Sequence, residues 1–192
     1  ARVKKAKSKY YEAEVLEVIE KSPYRVEPKC IHFGVCGGCK WQNLSYEKQL
    51  DFKQEEVYNN IKRIGGIENF ETLPILGSEE QYFYRNKMEF SFSNARWLTQ
   101  YEISSEENFG NKDALGFHIP GMWSKILDLK ECFLQEEPSN EIRLAVRDYA
   151  IKNGLDFYDV KNQEGFLRTL MLRQNSKGEW MVLFQLYREE KE

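Results

Sequence analysis

No apolar run in the 192 residues approaches the length of a membrane span, and no signal peptide opens the sequence, so a cytoplasmic protein is expected. Histidine is scarce. The two present, His32 and His118, read first as satisfied structural residues, because a lone histidine is more often that than a ligand. Excess charge of one sign is also lacking: 28 basic against 31 acidic residues leave a net charge of -3. That balance argues against a nucleic-acid partner on totals alone, although local patches count for more. There is no internal repeat and no glycine-rich nucleotide loop. Cysteine is rare, with four in the chain, and without secretory context four thiols favour metal ligation over disulfides.

With 41% hydrophobic and 31% charged residues the chain reads as a globular core of one ordinary domain, or a core plus a fragment of another. It is long enough to bury roughly 70% of its unfolded surface without a staple. Residues 1–9 hold five basic side chains and no acid, read as a frayed terminus or a phosphate-contacting arm. Tyr10 to Ile19 alternates loosely and predicts a strand with no evident earlier partner. Ser45 is placed as N-cap of a helix running to Ile64, ended by Gly65-Gly66, with Leu50, Val57, Ile61 and Ile64 on its apolar face. That face is expected to be exposed or covered by a second copy of the chain.

Further strands are predicted over Tyr84–Ser93, Arg96–Tyr101, Ala114–Ile119 and Lys125–Leu129, with an acidic Ser/Asn-rich loop over 103–113. A second helix is expected from Ser139 or Asn140 to Asn153, its inner face formed by Ile142, Val146, Tyr149 and Ala150, with Gly154 after its end. Two last strands, Phe166–Arg173 and Trp180–Tyr187, flank a five-residue hairpin loop. The fold class is α+β: an antiparallel sheet with packed helices and the cysteine loop at one end.

The cysteines follow the spacing C-x5-C-x2-C, with Cys30, Cys36 and Cys39, then a gap of 92 residues before Cys132. Structural zinc usually takes its thiols as two short pairs. Three local ligands and one remote ligand suit an iron–sulfur cluster better, with zinc and a two-iron ferredoxin-like site as the alternatives.

His32-Phe33-Gly34-Val35-Cys36-Gly37-Gly38-Cys39, followed by Gln42 and a capped helix, resembles the iron–sulfur type of RNA (uracil-5-)-methyltransferase. Tyr84-Arg85-Asn86-Lys87-Met88-Glu89-Phe90 resembles that family's Tyr-Arg strand, and Leu127-Asp128 through Cys132 resembles the segment supplying the last cluster ligand. The resemblance implies a [4Fe-4S] cluster on Cys30, Cys36, Cys39 and Cys132. It also implies three domains, of which residues 1–25 are similar to the tail of a TRAM/OB-type domain and 26–187 to the central cluster and RNA-recognition domain. Residues 188–192 would begin a C-terminal methyltransferase domain.

Family chemistry uses a cysteine that attacks C6 of uracil, a carboxylate base and S-adenosylmethionine, with ribosomal RNA as the best-known substrate. With every cysteine assigned to the cluster and no nucleotide loop, this chain is expected to recognise RNA without methylating it by itself. An electron carrier is the rival reading. Candidate RNA contacts are Arg85 and Lys87 on the Tyr-Arg strand, Phe133 beside Cys132, and Lys40 and Trp41 flanking the cysteine loop. An enzyme acting on a base in folded RNA must extrude it, and aromatic side chains fill the gap.

Overall fold

The computed structural model describes residues 1–105, 110 and 112–187. The loop expected over 103–113 therefore lies partly outside the described residues, and 188–192 lies wholly outside them. Two compact units are present: residues 1–27 with 43–72, and residues 28–42 with 73–192.

In the first unit, strand β1 (Arg2–Ala6) pairs antiparallel with β2 (Tyr11–Glu14), closed by a bond from Lys7 N to Tyr10 O of 2.9 Å. The basic N-terminal stretch is thus a strand, not a frayed arm. Lys4 meets Glu14 at 3.1 Å, and Lys5 lies opposite Glu12, so acids on the second strand answer the bases on the first. The strand expected over Tyr10–Ile19 ends at Glu14, because among the described residues no strand pairs with those that follow. Helix α1 (Tyr46–Asn59) continues into a π-helical turn, Asn60–Ile64, rather than running as one α-helix. Ser45 stands at the N-cap, but its side chain makes no capping bond. No residue of α1 is buried, and Ile64 is 82% exposed.

The second unit holds a five-stranded antiparallel sheet in the order β5-β4-β3-β6-β7. Its strands are β3 (Lys87–Ser93), β4 (Ala114–Ile119), β5 (Met122–Asp128), β6 (Leu167–Gln174) and β7 (Trp180–Leu186). As its alternation predicts, β3 buries Met88, Phe90 and Phe92 and exposes Lys87 and Glu89. Phe90 lies opposite Leu170 and Met88 opposite Leu172, so the core runs through the two central strands. Gly116 on β4 permits close approach of β5: a Cβ there would lie 2.1 Å from Leu127 O.

The strand expected over Arg96–Tyr101 is not formed. Arg96 makes a single bridge to Ile126, and residues Gln100–Ser104 form the short helix α2. The reason is a capping box: Thr99 Oγ1 accepts from Glu102 N at 3.2 Å, and Glu102 Oε2 accepts from Thr99 N at 2.8 Å.

Helix α3 (Ser139–Lys152) packs Ile142, Val146 and Ala150 on the core, and Gly154 follows it with φ +64. Tyr149, expected inside, is 64% exposed, while Arg143 is fully buried. The buried arc centres on Ser139, Arg143 and Ala150, and Tyr149 lies about 100° from that centre. The helix start also differs from expectation. Neither Ser139 nor Asn140 caps it; Glu137 Oε2 accepts from Asn140 N at 3.0 Å and from Glu141 N at 3.3 Å.

Candidate metal centre

The segment Cys30–Cys39 folds as consecutive turns. Phe33 N donates to Cys30 O at 3.0 Å and Cys36 N to His32 O at 2.9 Å. Cys30 N donates to Gln42 Oε1 at 3.1 Å, which closes the base of the loop. Two contacts dock it on the sheet: Gly37 N donates to His118 O at 3.1 Å, and His32 Nε2 accepts from Lys130 N at 3.0 Å. A Cβ at Gly37 would lie 2.5 Å from His118 O, so this docking requires glycine. The bond to Lys130 N uses the Nε2 lone pair, and burial holds the His32 imidazole below its usual range, so His32 is a neutral structural acceptor.

Cys132 arrives on the segment between β5 and α3, and Asn140 grips its backbone from both sides. Asn140 Oδ1 accepts from Cys132 N at 2.8 Å, and Asn140 Nδ2 donates to Cys132 O at 3.1 Å. Glu137 Oε1 fixes that amide at 2.7 Å.

The two segments bring all four thiols to one cavity of about 20 Å³, walled mainly by Phe33, Phe117, Leu129, Phe133 and Leu134, with Gln42 and Glu131 also on its lining. The thiols are free of disulfides. Burial pushes the Cys132 thiol up to about 11 and raises Cys30 and Cys36 as well. An apolar wall thus disfavours thiolates until a cationic centre compensates them. Among the described residues, no three or more His, Cys, Asp or Glu side chains are arranged to hold a single metal ion.

Phe133, one of the sequence candidates for RNA contact, joins this wall and meets Tyr82 and Phe83 edge-on at 6.3 and 6.1 Å. Lys29 Nζ sits over all three rings, 4.7 to 5.0 Å from their centroids. Sequence reasoning missed Lys29, Tyr82 and Phe83, although the aromatic run Tyr82-Phe83-Tyr84 was a usable signal. Arg85 precedes β3 rather than lying in it, and its N donates to Leu134 O at 2.8 Å. Its side chain is exposed, and Lys87 is occupied by Glu89 at 3.3 Å. Lys40 and Trp41 are exposed just beyond Cys39.

No protein-family model matches the chain. An uncharacterized RNA methyltransferase of Bacteroides thetaiotaomicron is 50% identical over 182 residues, which cover 95% of this chain and 40% of that protein. One from Porphyromonas gingivalis is 44% identical over 198 residues, 98% of this chain and 42% of the relative. The crystal structure of Pyrococcus abyssi tRNA (uracil-54, C5)-methyltransferase in complex with S-adenosyl-L-homocysteine superposes with a TM-score of 0.63 at 27% identity, over 98% of this chain and 38% of that one. The chain spans about two-fifths of the length of these proteins. Along nearly its whole length, then, it is similar to one part of proteins named as RNA methyltransferases.

Proposed function

We propose that this chain is the cluster-bearing, RNA-recognising region of an S-adenosylmethionine-dependent RNA uracil-5-methyltransferase. Residues 1–25 would belong to a TRAM-like domain and 26–187 to the central domain. The observation that carries the reading is the convergence of Cys30, Cys36, Cys39 and Cys132, from segments far apart in sequence, on one apolar cavity. Similarity to RNA methyltransferases, one of them solved with S-adenosyl-L-homocysteine, supports the reaction class.

The residues fit the group. Four unpaired thiols border one pocket, and their three-plus-one spacing in the sequence suits an iron–sulfur cluster better than zinc. Cys30, Cys36, Cys39 and Cys132 would hold a [4Fe-4S] cluster, which supplies a covalent tie between loop and sheet and a one-electron centre. The chain's own residues position it: Gly37 and His32 dock the loop, and Asn140 orients Cys132. Beside that wall, the Tyr82, Phe83 and Phe133 rings with Lys29 present aromatic faces and a cation, the combination that stacks and neutralises an extruded nucleotide. Self-association through helix 45–64 belongs to the same reading. Residues 1–192 by themselves would transfer no methyl group, because all four cysteines serve the cluster.

The test uses the full-length protein purified anaerobically. It should carry about four irons and four sulfides per chain. With labelled S-adenosylmethionine it should form 5-methyluridine, and unmodified ribosomal and transfer RNA offered separately identify the substrate. Stoichiometric zinc sinks the cluster assignment. Absence of 5-methyluridine in both RNAs sinks the reaction assignment and returns the electron carrier as the reading.

A further inference from the structure

Arg143 is fully buried on α3, with its guanidinium 5.5 Å from the Phe90 ring. Its Nη1 donates to Leu129 O and its Nη2 to Asn140 Oδ1 at 3.1 Å. Its Nε is buried with no hydrogen-bond partner. Among the described residues no carboxylate pairs with it. The nearby acids are held elsewhere. Asp128 binds Arg147 through both oxygens, one at 2.8 Å, and Glu137 binds the amides at the start of α3.

A buried guanidinium satisfied only by neutral oxygens is strongly unfavourable, so an anion is expected within its field. Both of its anchors point to where that anion sits. Leu129 O lies three residues before Cys132, and Asn140 is the side chain that grips Cys132 N and O. Phe90, beneath the guanidinium, stacks on Phe117 at 5.2 Å, and Phe117 walls the thiol cavity. Glu131 also lines the thiol cavity, but among the described residues it makes no ion pair with Arg143, so the thiols remain the anion its anchors lead to.

We propose that Arg143 is the buried counter-cation of the centre held by Cys30, Cys36, Cys39 and Cys132, compensating the net negative charge that four thiolates bring into an apolar pocket. This rests on the cluster reading above. A four-iron, four-sulfur core with four thiolates is anionic, and one-electron reduction adds a further negative charge. Arg143 therefore favours the loaded over the empty site and the reduced over the oxidised form. It is a positioning residue that acts through charge, and it touches no substrate.

The experiment compares anaerobic full-length wild type, Arg143→Gln and Arg143→Lys, all reduced with dithionite, by midpoint potential and by iron release to a chelator. In Arg143→Gln the reduction equilibrium should fall about tenfold or more, a negative shift of about 59 mV. Iron release should quicken about tenfold. Arg143→Lys, which keeps the charge but not the fork, should stay within about threefold of wild type in both. An unchanged midpoint in Arg143→Gln, or a lysine variant no better than glutamine, overturns the proposal.

Should the glutamine variant not fold, the lysine variant and wild type still decide. Stripping the cluster from wild type should speed amide exchange across 139–147, and equal protection in loaded and stripped protein overturns the counter-charge. Wild type lacking iron and sulfide fails the cluster reading itself, a result distinct from any of these.

Discussion

Gly37 and Gly116 look alike in the sequence and do different work. Gly116 lets two strands approach, while Gly37 lets the cysteine loop touch a strand end. Gly116→Ala forces a methyl group against Leu127 O and should cost about 1–3 kcal/mol of global stability, read by chemical denaturation. Gly37→Ala should spare the sheet and loosen the loop, so melting of the stripped protein changes little while iron release quickens. Equal effects of the two changes on stripped-protein melting would count against a locally docked loop. The four cysteines were legible because their spacing is a chemical signal. The run Tyr82-Phe83-Tyr84 marks an aromatic stretch, but its meeting with Lys29 and Phe133 is not legible, since it depends on the pairing of 83–85 with 133–134.

Among the elements, β3 was readable because its period-two pattern matches one buried face, and α3 because its apolar stripe is long. The misses have local causes. Arg96–Tyr101 reads as a strand in the sequence, and the Thr99–Glu102 capping box overrides it. An apolar stripe through Ile142, Val146 and Ala150 predicts Tyr149 inside, but the burial of Arg143 turns the inner face of α3 away from it. The apolar periodicity predicts one continuous helix to Ile64, but the turn after α1 widens to i→i+5 bonds, with Gly65 N on Asn60 O at 2.9 Å. With no buried residue, and with Val57 55% and Ile64 82% exposed, α1 has little to hold it within its own unit. Its amides should exchange well before those of β3 and β6. Ile61→Glu should shift any self-associated species towards monomer in sedimentation. A monomeric wild type with a strongly protected α1 would show that this face is satisfied within the chain.

At the scale of the whole molecule, the two units differ in how the cysteines bear on them. All four thiols, and every contact that docks them, lie in residues 28–42 and 73–192. The chain enters that unit at Pro28, leaves after Gln42 and returns at Leu73, so the segment 28–42 joins it as a short separate stretch. Hydrogen bonds at Gly37 and His32 are two of its ties to the sheet, and a cluster shared with Cys132 would be the covalent one. Unfolding should therefore take more than one step, and a single melting temperature would misdescribe it. Cys132→Ser, made in the anaerobic full-length protein, should lower and broaden the transition of the sheet unit, because it frees both the loop and the segment between β5 and α3. Amide exchange across β1, β2 and α1 should stay at the wild-type rate. Such a variant that kept wild-type melting and lost only its response to dithionite would show that the centre cycles electrons without holding the fold. Faster exchange at β1 and β2 would show instead that the thiol site stabilises both units together.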